Sequence, residues 1–327
     1  MYTQDRSTPR TAEPGPDLMA ASDIPNAVPI SPGIHAALIR DAVEACGKSA
    51  WCYYVPFLCC YSLRPAREVH VLESGGTVCL LVVRDGDRGK GVDLMVPPLP
   101  LEAEVLGDVV DLLRPLNGGQ APRILWTDQA DADVLERQGY QVSPKEREYI
   151  YSPQRIMSAE GREYRDLRKR LRRFERAHAQ ARFRDFDVAD TKACHALLKH
   201  WRRRQGRKHP FLLDWGYTRA AVDRYFEFGR EDLRGWCVEV EGRVAAFAMA
   251  GPIREGLANF FVAKADPDVP WLSDYLRREV FRELSDFEQV NDAGDLDLPG
   301  LRQHKAKFRP VDEMPVYTAR AGYKEAP

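Results

Sequence analysis

The sequence predicts an α/β protein with α+β lobes in tandem, each a mixed, largely antiparallel sheet flanked by helices. Three observations carry this. The order hairpin, strand, helix, strand, helix, strand occurs twice along the 327 residues, as expected of a duplicated unit. A highly charged helical stretch separates the two copies. With 44% hydrophobic and 30% charged residues, the chain has the means to bury real cores.

Residues 1–32 hold six prolines (Pro9, Pro14, Pro16, Pro25, Pro29 and Pro32) among Ser, Thr, Asp and Ala. Such a tail buries too little apolar surface to fold alone, so it is expected to be disordered. The first lobe spans 33–152. Ile34, Leu38, Ala42 and Val43 mark one side of a helix over 34–46. Strands at 68–72 and 77–83 flank Ser74-Gly75-Gly76, a hairpin signal. A strand at 92–96 runs into Pro97, Pro98 and Pro100; a helix over 101–113, a strand at 123–126, a helix over 131–138 and a strand at 148–151 follow.

The second lobe, 211–327, repeats this order. Strands at 236–240 and 244–250 flank Glu241-Gly242-Arg243. A strand at 257–263 leads through Asp266-Pro267-Asp268-Val269-Pro270 into a helix over 271–284. A strand at 287–291, a helix over 299–305 and a strand at 315–319 close the copy.

The net charge of −1 provides no global attraction to polyanions, yet positive charge is segregated. Within the connector, 153–210, residues 160–176 carry eight Lys or Arg against four Asp or Glu. Leu167, Leu171 and Phe174 place an apolar stripe on one helix side, with Arg165, Arg168, Lys169, Arg172 and Arg173 in the same segment. Residues 191–213 contain no acidic residue but hold Lys199, Arg202, Arg203, Arg204, Arg207 and Lys208. A solvated helix face explains either block alone; together they also suit a polyanionic substrate.

The seven cysteines form no CxxC pair, and most lie in apolar runs, which reads as free buried thiols in a reducing, cytoplasmic setting. No metal-ligand spacing or Ser/His/Asp arrangement emerges, so no metal is expected. No apolar run approaches the ~20 residues of a membrane span. Peripheral contact with the inner face of a membrane stays open.

The most informative segment follows the strand at 287–291. Asn291, Asp292, Asp295, Arg302 and Lys305 gather where a strand of an open sheet ends, the usual place for a ligand crevice. Arg302 and Lys305 lie three apart on a short helix and can point to one side. Asp295 and Asn291 could orient an amine or hold those cations; an Asp295–Arg302 pair that merely fixes the turn is the plainer reading. His304 would face another side of the helix.

Here the chain resembles the C-terminal domain of phosphatidylglycerol lysyltransferases. The resemblance rests on Asn291, Asp295, Gly300-Leu301-Arg302, Lys305 and Pro310, with weaker likeness over 161–174 and 235–251, and covers about residues 35–320. It implies paired GNAT-like lobes and transfer of an aminoacyl group from aminoacyl-tRNA, with no cofactor beyond that co-substrate. The acceptor would be a lipid headgroup, a peptide or a small molecule, and the multi-span membrane region of familiar members is not found, which weighs against the lipid. Soluble relatives of this kind include the Fem peptidyltransferases.

In that setting Lys305 would stabilise the oxyanion of ester attack, and Arg302 would hold tRNA phosphate or ribose or share the oxyanion. Asp295 would bind the donor ammonium or act as base, and Asn291 would orient one of these groups. Arg165, Arg168, Lys169, Arg172, Arg173, Arg202, Arg203 and Arg207 would form the tRNA surface. Two readings compete: an acyl-CoA-dependent N-acyltransferase, and a tRNA-binding protein without catalysis. Against acyl-CoA, the turn at 266–270 has no Gly, two prolines and two carboxylates where a pyrophosphate needs backbone N–H donors.

Overall fold

In the computed structural model, residues 24–86, 89–205 and 214–321 are described. The first half contains β1 (Val28–Pro29), α1 (Pro32–Ala45), α2 (Val55–Cys60), β2 (Arg67–Ser74), β3 (Thr77–Gly86) and β4 (Gly89–Leu94). It continues with α3 (Ala103–Leu113), β5 (Arg123–Thr127), α4 (Gln129–Arg137) and β6 (Tyr140–Tyr151). α5 (Pro153–Ser158), α6 (Arg165–Ala177), β7 (Arg182–Asp185), α7 (Thr191–Gln205) and α8 (Asp214–Asp223) lead into the second half. That half consists of β8 (Arg234–Val240), β9 (Arg243–Arg254), β10 (Leu257–Ala265), α9 (Leu272–Glu283), β11 (Gln289–Asn291), α10 (Pro299–Ala306) and β12 (Asp312–Ala321).

Local chemistry explains the joints. Gly75 and Gly76 take φ of +58° and +79° between β2 and β3, the left-handed pair that matches hairpin twist. Glu241 and Gly242 do the same between β8 and β9. The Asp128 side chain accepts from Asp131 N at the start of α4, and Pro299 opens α10 at a position that needs no N–H.

The twelve strands of the described residues form one sheet, in the order β1-β2-β3-β4-β5-β12-β6-β11-β10-β9-β8-β7. The two halves are therefore continuous. β12, which the sequence order assigns to the second copy, lies between β5 and β6, and β6 passes the sheet on to β11. Strand order is set by pairing across the chain, which residue periodicity does not report.

One face of the sheet carries a single apolar core running across both halves. Ile39, Phe57 and Leu58 from α1 and α2 join Leu197, Leu198 and Val222 from α7 and α8 over it. The other face has two cores: α3 and α4 cover the first half through Leu106, Val110 and Leu135. α6 and α9 cover the second half through Leu171, Phe174, Leu276 and Phe281. Successive residues of a strand alternate between these faces.

Several elements differ from the sequence reading. The segment expected to be disordered over 1–32 ends in β1, which pairs with β2; residues 1–23 lie outside the described residues. β6 begins at Tyr140 rather than 148, because β12 pairs along its whole length. α2, α5 and β7 are too short for periodicity to reveal. All seven cysteines are free, and six of them are buried.

Phe308, fully buried behind α10, packs against Phe281 with ring centroids 6.2 Å apart. Phe308→Ala is expected to lower stability by about 3–5 kcal/mol, read as a lower urea midpoint with unchanged slope. A change under about 1 kcal/mol would show that α10 is not anchored to this core.

Candidate active site

β10 and β11 run parallel, but only over Leu257–Asn259 against Gln289–Asn291. β11 then stops, while β10 continues to Ala265. On the other side β11 meets β6 at Tyr151 and Ile150, and backbone bonds of Asp292 and Ala293 to Tyr149 keep the chain on β6 a little further. Beyond Asn291 the sheet therefore opens between β6, with residues 292–293 still bonded to it, and the far half of β10. An opening at the carboxyl ends of parallel strands is where open α/β sheets hold ligands.

Asn291 sits fully buried at the closed end of this opening. Its amide donates to Glu148 Oε2 (2.6 Å) and to the Ser49 carbonyl (3.1 Å), and its Oδ1 accepts from Ala293 N (2.9 Å). The same Glu148 oxygen accepts from Trp51 N (2.8 Å). Burial pushes the Glu148 carboxyl up to about 8, against the opposing pull of the Asn291 and Trp51 hydrogen bonds. Lys145 lies nearby on β6 and donates to the Leu125 carbonyl; burial lowers its ammonium to about 8.

The remaining motif residues gather differently. Tyr149 OH (2.7 Å) and Arg302 Nε (2.6 Å) both donate to Asp295 Oδ2, and Asp297 N donates to Oδ1 (2.9 Å). Burial raises the Asp295 carboxyl, but these bonds outweigh it and hold the group below its ordinary value. Asp295 and Arg302 thus form the turn-fixing pair, and both Asp295 oxygens are engaged. Arg302 remains over half exposed, at 56% of its side chain.

Lys305 is buried. Its ammonium donates to the carbonyls of Asp292 and Ala293 (3.2 Å to the latter) and lies 3.2 Å from Asp292 Oδ2, which also pairs with Arg277 at 2.5 Å. Burial lowers the Lys305 ammonium, with Asp292 pulling the other way. Together Asn291, Asp295 and Lys305 hold a turn in which Ala293, Leu296 and Asp297 take φ of +52° to +55°, a region that side chains disfavour.

Glu148 and Tyr149 are consecutive in β6 and point to opposite faces. Asn291 therefore belongs with Glu148 and Trp51, whereas Asp295 and Arg302 gather on Tyr149. The motif does not close into one constellation. His304 is held well below its ordinary value by burial and by Arg277, and so stays neutral.

The basic helices are also divided. α6 packs on the face of Tyr149, and α7 on the face of Trp51. Arg165, Lys169, Arg172 and Arg173 are exposed on α6, while Arg168 is spent on the carbonyls of Ala159 and Gly161. Arg202 and Arg203 are exposed on α7; Arg207 lies outside the described residues.

Both helices reach the turn between β10 and α9. Asp268 pairs with Arg204 and His200 of α7, Asp266 pairs with Arg243, and Arg173 of α6 lies over the Trp271 ring. His200, Asp266 and Asp268 approach one another closely enough to suggest a cation, but Arg204 and Arg243 already neutralise the carboxylates. The N–H groups of Asp266, Asp268 and Val269 donate to Ala245 O, Asp266 Oδ1 and Asp266 O. With prolines at 267 and 270, the turn offers little to a pyrophosphate.

The family model for the phosphatidylglycerol lysyltransferase C-terminal domain matches residues 69–320. The chain belongs to this family. Comparison with curated proteins finds no match. A conserved Bacteroides thetaiotaomicron protein of unknown function superposes with a TM-score of 0.72 at 18% identity, covering 91% of this chain and 100% of that one. L-PGS from Bacillus licheniformis follows with 0.63 at 17%, over 92% and 95%, and FemX with 0.55 at 11%, over 88% and 96%. These structures share the fold. Membership in the lysyltransferase family makes the chain a member of a transferase family. Among the described residues no helix is long and apolar enough to cross a membrane.

Sequence reasoning missed Glu148, Trp51 and Asn259. Glu148 lies in Lys145-Glu146-Arg147-Glu148, which reads as a solvated strand edge until β12 pairs along one side of it and the turn after β11 settles on the other. Unfolded, this carboxyl titrates near 4.5, and folded near 8, so stability falls as pH rises between them while the native state keeps its proton. Glu148→Gln removes that loss. Its urea midpoint is expected to rise relative to the unsubstituted protein from pH 5 to pH 8; parallel pH curves would contradict the assignment.

Proposed function

We propose that the chain transfers an aminoacyl group from aminoacyl-tRNA to an acceptor hydroxyl or amine, in the opening between β6 and β10. The observation that carries this reading is the β10–α9 turn, whose N–H groups at 266, 268 and 269 are already used inside the protein. That disfavours acyl-CoA held in the usual backbone mode. The exposed cations of α6 lie on the same face as Arg302 and suit a polyanionic donor. No cofactor beyond the aminoacyl-tRNA is proposed.

In the reaction the acceptor oxygen or nitrogen attacks the ester carbonyl, and the ribose oxygen leaves with the proton the acceptor gives up. Negative charge builds on the carbonyl oxygen as the tetrahedral intermediate forms. Lys305 supplies a fixed positive charge beneath the Asp292–Ala293 turn, acting across that turn because its hydrogen bonds are spent on it. Arg302, oriented by Asp295, presents its Nη1 to a tRNA phosphate or ribose, while Nη2 faces Asp297 at 3.3 Å. Asn291 fixes the closed end of the opening. The exposed arginines of α7 form a second patch on the opposite face.

Incubation with a mixture of charged tRNAs and acceptor extracts, read by mass spectrometry, tests the reading. An acceptor is expected to gain the mass of an amino-acid residue. Arg302→Ala is expected to slow transfer about ten- to a hundredfold, the value of a charged hydrogen bond. tRNA binding with no adduct on any acceptor would point to a binding protein without catalysis and would sink the transferase reading.

A further inference from the structure

Glu148 is a carboxyl with one oxygen satisfied and one not. Its Oε2 accepts from Trp51 and Asn291, while Oε1 finds no hydrogen-bond partner among the described residues. On the far side of β11, Asn259 is fully buried and lies opposite Asn291 in the parallel register. Neither Asn259 Oδ1 nor Asn259 Nδ2 is paired, and the Trp51 indole N–H is also unpaired. Native proteins rarely leave buried polar groups in this state. Here several such atoms belong to residues grouped around Asn291: Trp51 and Asn291 both bond to Glu148, and Asn259 is the register partner of Asn291.

The unmet groups specify a guest. Glu148 Oε1, once its proton is given up, and Asn259 Oδ1 are acceptors without a donor. Trp51 belongs to an aromatic cluster with Phe57, Tyr217 and Phe261, at ring-centroid distances of 3.9, 5.7 and 6.4 Å. A carboxyl, an amide oxygen and aromatic faces together suit an ammonium group. Asn259 Nδ2 and the Trp51 indole are donors without an acceptor, which suits a carbonyl oxygen close to that ammonium. An aminoacyl ester carries both groups on neighbouring carbons.

Resting on the aminoacyl-transfer reading, we propose that Glu148 and Asn259 bind the α-ammonium of the donor's aminoacyl group, with the Asn259 and Trp51 N–H groups on its ester carbonyl. Asp295, the carboxylate that the motif offers for this task, is already held by Arg302, Tyr149 and Asp297. The charged and titratable groups around Glu148 are Glu146 and Lys145 on its own strand, Lys305 from α10 and Cys52 from the turn Trp51–Tyr53. Burial keeps the Cys52 thiol neutral. A bound ammonium would supply the counter-charge that lets Glu148 ionise.

Calorimetry of the protein at pH 7 tests this with a panel of amino-acid amides and their N-acetyl counterparts, each in two buffers of different ionisation enthalpy. At least one free amide is expected to bind with release of close to one proton, because Glu148 is mostly protonated beforehand at about 8. The matching N-acetyl amide should bind at least about tenfold more weakly, the cost of losing a charged contact. Glu148→Gln should abolish the proton release and weaken binding by a similar factor. Its amide oxygen can still accept from Trp51 and Asn291, so the fold is kept; Asn259→Ala should weaken binding while the proton release persists.

Binding without proton release, or binding unchanged in Glu148→Gln, would overturn the proposal. So would N-acetyl-lysinamide matching the free amides, which would assign the site to a side-chain ammonium, and so would no amide binding at all. Aminoacyl transfer measured on the same preparation separates the two readings: transfer that persists without linked proton release discards the pocket and keeps the reaction.

Discussion

The hydrogen bond from the Asn291 amide to Glu148 closes the end of the parallel pair β10–β11, and the rest of the site is arranged around that closure. β11 is only three residues long. Where it stops, the chain parts from β10, stays bonded to β6 as far as Ala293, and then turns away through residues in left-handed conformations. Such a turn is costly to hold. Asn291 Oδ1, Lys305 and Asp295 each take up backbone groups of the turn, which explains why polar residues crowd this short segment.

The same geometry divides the labour between the two faces. On one side of β6, Glu148 meets Asn291 and Trp51 under a continuous apolar core. On the other, Tyr149 meets Asp295 and Arg302 above the core that seats α6. A polyanion reaching Arg302 would approach over α6, while a small group entering the opening would meet Glu148 and Asn259. Lys305 lies between the two, 5.5 Å from the Tyr149 ring and among the charges that Glu148 feels.

Much of this was legible in the sequence, because hairpin glycines, apolar periodicity and helix-opening prolines act locally. The motif itself was legible as polar residues at a strand end. The division of that motif was not, since it depends on whether residue 148 or 149 of β6 faces a given side. The charged run before Glu148 looks solvated until β12 and the turn after β11, both drawn from the end of the chain, flank it. The basic blocks of α6 and α7 read as one charge reservoir, yet their apolar stripes seat them on opposite faces. Composition counts charges, whereas placement follows from which side of a helix is apolar.

The central claim is that the opening between β6 and β10 receives the aminoacyl end of the donor. A crystal structure with a 3′-aminoacylamino-adenosine, whose amide replaces the labile ester, tests it most directly. The amino group is expected against Glu148, with the adenosine running outward past the end of β11. An analogue seated instead over the β10–α9 turn, with the opening empty, would contradict it.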